Sequence, residues 1–141
     1  MIEFVTENVG MPTLDYEKIR RWVIDVARTH GRGVGELCYC FCDDPYILKV
    51  NNEFLKHDYF TDIITFDNSA KNRIAGDLLI SLDTVRSNAD LIGVSYDDEL
   101  LRVIIHGILH LCEINDKGPG EREIMEAEEN KALAIYRSYG E

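Results

Sequence analysis

Long apolar runs are missing from this sequence. No stretch approaches the ~18 consecutive apolar residues that a membrane span needs, and the opening MIEFVTENVG has neither a basic start nor the apolar core of a secretory signal. The chain is therefore expected to be cytoplasmic, with no membrane partner. Basic residues are also scarce, with 15 Lys and Arg against 26 Asp and Glu and a formal net charge of −11. A general nucleic-acid binder has the opposite balance, because its affinity comes from neutralising phosphates. A polyanion could be held only where the few cations are concentrated, or where a partner does the docking. There is no disulfide framework, since three of the four cysteines, Cys38, Cys40 and Cys42, alternate along one short segment. On a strand such residues stand ~6.6 Å or more apart, too far for all three thiols to meet one ion without bending. Buried cysteine acting as a small apolar residue is the simpler reading. Proline is rare too, and there are no repeats, low-complexity tracts or linkers, so residues 1–141 are expected to form one domain.

What is present is organised around Ser95 to Lys117, SYDDELLRVIIHGILHLCEINDK. Ser95 followed three residues later by Asp98 is a capping box that opens a helix. From there to about Cys112 only Gly107 weakens the helical pattern. Leu100, Leu101, Ile104, Ile105, Ile108, Leu111 and Cys112 cover most of its circumference, which requires burial. A narrow polar stripe remains: Glu99, Arg102, His106, His110 and Glu113. His106 and His110 are four apart, so both imidazoles leave the same face one turn apart, the spacing at which two ring nitrogens can share a metal ion. If the chain turns back at Asn115, the carboxylate of Asp116 closes a His, His, carboxylate set. The plainer alternative is a pair of core histidines, each hydrogen-bonded to a neighbour.

In chain order, Ile2 to Thr6 is an edge or second strand. Thr13 is the expected cap of an amphipathic helix that runs to about His30, with Ile19, Trp22, Val23, Val26 and Ala27 inside and Gly31 as its stop. Lys18, Arg20, Arg21 and Arg28 on its outer face, with Arg32 beyond, form the densest basic patch of the chain; it is either a solvated face or a contact for RNA. Glu36 to Cys42 is an interior strand. Asp43 or Asp44 caps a helix with Pro45 in its first turn, reaching about Leu55. Thr61 to Phe66 and Ala75 to Leu82 are strands joined by a polar loop and expected to pair antiparallel. A short helix follows from about Asp83 to Leu91, stopped by Gly93. The last helix, about Glu121 to Ser138, should face the core with Ile124, Met125, Ala132, Ile135, Tyr136 and Tyr139. Glu121, Glu123, Glu126, Glu128 and Glu129 crowd its outer first turns, where acids suit the helix dipole. The fold class is α+β, a small mixed sheet of about four strands packed with about five helices, the Ser95 helix buried at the centre.

HGILHLCEIND resembles the H-G-x-L-H-L-x-G-x-D-H signature of the YbeY family of bacterial metal-dependent endoribonucleases. Aligned without gaps, the first two family histidines fall on His106 and His110 and the third falls on Asp116. The family Gly and Asp fall on Glu113 and Asn115; without that Gly, Asn115 is the residue expected to take a left-handed turn. A second block, NNEFLKHDYFTDIITF, resembles N-x-x-[YF]-R-x-x-[DN]-x-P-T-[DN]-V-L-S-F, with Asn51, Phe54, Asp58, Thr61, Asp62, Ile63, Ile64 and Phe66 matching in identity or type. Leu55 stands where the family has an arginine thought to serve the substrate, and Phe60 where it has proline. Lys56 and His57, adjacent, are candidates to replace that arginine. Gly76 and Asp77 resemble the family's G-D-[ILV] strand, Asp77 being either a structural residue or one facing the cleft.

The resemblance implies a single-strand-directed, metal-dependent endoribonuclease of ribosomal RNA, acting in maturation of the small-subunit 3′ end and in ribosome quality control. It further implies the small ribosomal subunit and its proteins as partners. The expected ligands are His106, His110 and Asp116 around one divalent metal, zinc first, with Lys117 beside them to stabilise a phosphate oxygen. Metzincin proteases share the His, four, His, six, ligand spacing but need a glutamate directly after the first histidine, and here that residue is Gly107. Against the nuclease stands a ribosome-assembly binding factor with a structural metal, which the acidic charge and Leu55 favour.

Overall fold

The computed structural model describes residues 1–55 and 61–140. In chain order the elements are β1 (Ile2–Glu7), α1 (Tyr16–Thr29), β2 (Gly33–Cys42), α2 (Asp44–Leu55), β3 (Ile63–Asp67), β4 (Arg73–Ser81), α3 (Leu82–Ile92), α4 (Tyr96–Leu111) and α5 (Glu121–Ser138). The sheet order is β1-β2-β4-β3. β1, β2 and β4 run parallel and β3 pairs antiparallel with β4, so the sheet is mixed and the fold class α+β. β1 is an edge strand, joined to its parallel neighbour β2 by α1, as a parallel crossover requires.

Period-two alternation divides the sheet residues between two faces. Tyr39 pairs with Leu78 and Phe41 with Ile80. All four are fully buried and pack in one core with Trp22 of α1, Ile104, Ile105 and Ile108 of α4, and Met125, Ala132 and Leu133 of α5. The two polar atoms carried into that core are satisfied: Trp22 Nε1 donates to the Ala132 carbonyl at 2.7 Å and the Tyr39 hydroxyl to the Ile104 carbonyl at 2.9 Å. On the opposite face, a smaller cluster of Cys42, Ile47, Val50, Ile64 and Leu79 sits beneath α2. β2 is therefore interior, as its composition indicates, but Cys38 and Cys40 are only half-buried.

Three local expectations are corrected. Asp15, not Thr13, caps α1, accepting from the Lys18 N–H at 3.1 Å. Ile124 is 55% exposed instead of core-facing. Glu129, expected on the outer face of α5, is 8% exposed. The other caps fall where the residue types point. Asp43 accepts from the Tyr46 N–H, and Ser95 from the Asp98 N–H at 3.1 Å. Gly31, at φ 74°, closes α1, with its own N–H on the Arg28 carbonyl and the Arg32 N–H on Ala27.

Gly107 explains how α4 reaches the centre. A Cβ there would lie 2.9 Å from Ile63 Cδ1 and closer still to Leu78 Cδ2. The helix backbone thus lies directly on β3 and β4. A larger side chain after His106 would have to displace these methyl groups, and the residue present, glycine, cannot supply the base a metzincin needs.

Candidate metal centre

With Gly107 pressed on the sheet, His106 and His110 emerge along the half-buried edge of α4, their rings 4.6 Å apart and nearly perpendicular. The helix ends at Leu111, directly after His110, in a Schellman turn: the Glu113 N–H donates to the His110 carbonyl at 2.9 Å and the Ile114 N–H to the Leu109 carbonyl at 3.0 Å. The left-handed residue is Glu113, at φ 72°, not Asn115. This turn brings Asp116 back over the histidines. Its Oδ2 lies 3.4 Å from His106 Nε2 and 3.5 Å from His110 Nε2. One ligand atom from each of the three residues falls within 4.8 Å of the others. Two imidazoles and a carboxylate, all part-buried and converging, fit a divalent transition metal with positions left for water or substrate.

Behind His106 lies a group the sequence reading placed elsewhere. Glu129 of α5 stands with Oε2 2.6 Å from His106 Nδ1, while its Oε1 accepts from Arg102 at 2.8 Å. Arg102 also donates to Asn130 Oδ1 at 2.9 Å. A carboxylate on the far nitrogen of a ligating histidine fixes its tautomer and orientation, leaving Nε2 to face the centre. A signal was available: Glu129 is four residues from both Met125 and Leu133, which are buried, so a carboxylate sits within an apolar stripe.

The charges respond accordingly. Burial lowers the pKa of His106, but the hydrogen bond and charge of Glu129, with Asp116 and Asp62, overcome this and raise it. His110 is lowered, by burial first and then by the His106 charge. Glu129 is lowered despite its burial, because His106 and Arg102 both bind the ionised form. Asp62 is raised by burial, partly offset by His106. Glu99, only 7% exposed on the same stripe, is raised by burial and by Asp62.

The cleft at the ligands encloses about 400 Å³, and Thr61, Asp62, Thr65 and Asp67 of the β3 segment face His106, His110 and Asp116 across it. Lys117 lines this cleft and is exposed. Asp77 is exposed in β4 and lines a different depression, with Glu3, Glu36 and Cys38, so it does not face the metal side. Lys56 and His57 lie outside the described residues, as do Asp58 and Phe60.

A model of the family Endoribonuclease YbeY matches residues 1–137. Relatives bearing the name Endoribonuclease YbeY include one from Phocaeicola vulgatus, 62% identical over 135 residues, which covers 96% of this chain and 98% of its own. Another, from Bacteroides thetaiotaomicron, is 58% identical over 134 residues, 95% of this chain and 98% of its own. The solution structure of a Thermotoga maritima protein matches with a TM-score of 0.68 at 24% identity, covering 98% of this chain and 93% of that one, a likeness that concerns the fold alone. With a family match of that extent and relatives alike along nearly their whole length, the chain belongs to the YbeY family.

Proposed function

We propose that this protein is a single-strand-directed, metal-dependent endoribonuclease that works on ribosomal RNA in the cytoplasm. The process is 3′-end maturation of small-subunit RNA and ribosome quality control, with the small subunit and its proteins as partners. The observation that carries the reading is the convergence of His106, His110 and Asp116 within 4.8 Å on one side of a cleft. The name Endoribonuclease YbeY, borne by relatives that share more than half their residues with this chain, supports it.

Zinc is the ion we propose there; when bound, it supplies Lewis acidity for a phosphoryl oxygen and lowers the pKa of water toward ~7. The chain's own residues prepare the site. Glu129 holds the proton of His106 on Nδ1 and Arg102 holds Glu129, so Nε2 presents a lone pair. Asp116 brings a negative charge where the family pattern has histidine, making the site less cationic by one unit. Lys117, exposed at the cleft, is positioned to meet a non-bridging phosphate oxygen. Asp62 and Asp67 on the opposite wall repel stray phosphates and confine the RNA backbone to the Lys117 side.

A second reading, a ribosome-assembly factor with a structural metal, is favoured by one observation: among the described residues, three carboxylates line the cleft against a single lysine. The Asp116→Ala variant separates the two. Under the nuclease reading, elemental analysis finds one transition metal per wild-type chain and less in the variant; RNA cleavage disappears while the melting temperature changes little. Collapse of the fold together with the metal would favour the assembly factor.

A further inference from the structure

The basic patch of α1 is not used by the metal site, yet it is built into a cleft. Arg20, Ile24 and Arg28 are four residues apart, so they share one face of the helix over ~12 Å. With Arg32, Ile2 and Val34 they line a concavity of about 460 Å³. Among the described residues no carboxylate lines it, although acidic residues outnumber basic ones 26 to 15 in the chain. The metal-side cleft holds Asp62, Asp67 and Asp116, and the groove between α4 and α5 holds five acidic side chains.

Two of the three guanidinium groups are already oriented. Arg20 donates to the Ile2 carbonyl at 3.1 Å and to the exposed Glu17 carboxylate at 3.0 Å, and stands 5.1 Å from the centre of the Phe4 ring. Arg32, with an 18% exposed side chain, donates to Glu113 at 2.7 Å. Arg28 is the most loosely held: 76% exposed, in an ion pair with Asp25 at 3.8 Å that is too long for a hydrogen bond. Asp25 is also engaged by the Tyr139 hydroxyl. Glu113 is the left-handed residue of the turn between His110 and Asp116, so the Arg32 pair joins this cleft to the metal-bearing turn.

We propose that this cleft holds the backbone of single-stranded RNA outside the reacting phosphodiester, with Arg20, Arg28 and Arg32 on its phosphates and Ile24 and Val34 against a base. The inference rests on the endoribonuclease reading and adds where the rest of the RNA lies. Arginine suits the task, because its planar fork pairs with phosphate oxygens two at a time. An otherwise acidic surface makes such a strip selective in position, since phosphates elsewhere are repelled.

The test is equilibrium binding of the metal-containing protein to a short fluorescent single-stranded RNA with phosphorothioate linkages that slow cleavage, followed by anisotropy across salt. Arg28→Glu should weaken binding about tenfold at low salt and flatten the salt slope by about one unit. Arg21→Glu, reversing a neighbouring charge that does not line the cleft, should bind within about twofold of wild type. Wild-type affinity and salt slope in Arg28→Glu would overturn the proposal, and so would equal losses in both variants, which would mean a diffuse attraction of RNA to the helix and not binding in the cleft. If the wild type cleaves no RNA, the endoribonuclease reading fails while the binding comparison still decides where RNA sits.

Discussion

Glu129 illustrates how far a single side chain can be misplaced by local reasoning. His106 and His110 are legible in the sequence because their relation is fixed by one helix turn, and Asp116 because six residues hold it to the same segment. Glu129 comes from another helix, and its direction depends on how α5 rolls against α4, set by Met125, Ala132 and Leu133 together. Replacing Glu129 by Gln should reduce metal affinity about 10- to 100-fold with the fold intact; competition with a chelating dye measures this directly, and unchanged affinity would remove Glu129 from the site. The thiols make a second residue-scale prediction. Burial is the main cause that pushes Cys40 and Cys112 up to about 11 and Cys42 to about 12. Their folded pKa values lie above the unfolded one, so the folded state keeps protons that the unfolded chain releases. That contribution is complete below the unfolded pKa, about 9, and is lost as pH rises from there toward 11 to 12. Urea unfolding midpoints should fall over that range, and fall less steeply in Cys42→Ala.

At the scale of elements, α4 depends on two backbone features, one foreseen in part and one not. The apolar circumference of the helix announces burial, but only the contact of Gly107 with Leu78 and Ile63 shows how close the approach is. Gly107→Ala should therefore destabilise by about 1–3 kcal/mol through overpacking, read as a lower denaturation midpoint. At the other end the turn is legible from the motif, but not which residue carries its strain. Asn115 is the intrinsically better left-handed residue, yet hydrogen bonding places the turn at Glu113, two positions earlier. Glu113→Gly should relieve that strain and raise stability by about 0.5–1 kcal/mol, because the Arg32 pair it removes is with a side chain 79% exposed and contributes little. A lower melting temperature would mean the pair outweighs the strain. The helix starts were read with uneven success for a related reason. Ser95 has no competitor nearby, whereas Asp43 and Asp44 both offer a cap for α2 and Thr13 and Asp15 both could cap α1, and the one that does so depends on where the helix meets the sheet.

Across the whole molecule, charge is segregated in a way that composition could not reveal. Sequence order made the sheet partners of β3 and β4 legible and left the position of β1 open, since a strand's place in a sheet is decided by the crossover and not by its own residues. Likewise a net −11 says nothing about which faces carry it. In the structure, Asp98, Glu99, Asp116, Glu126 and Glu129 share one groove with Arg102, Arg122 and Arg137, and α1 lines a cleft that holds no carboxylate among the described residues. Arg102 is bound to Glu129, and the remaining acids of the groove lie on α4, on α5 and, for Asp116, in the turn between them. Repulsion among them is largest at low ionic strength and is screened within ~8 Å at about 0.15 M salt. The ion pairs that salt also weakens are mostly exposed and contribute little. Screening should therefore favour the folded state, and the melting temperature should rise between about 0.01 M and 0.15 M sodium chloride. Glu126→Gln, removing an exposed member of the groove, should reduce that rise while increasing the melting temperature at low salt. A melting temperature that falls with salt would instead mean that ion pairs such as Arg102 with Glu129 dominate, and that the acidic groove is held by its arginines more strongly than it repels itself.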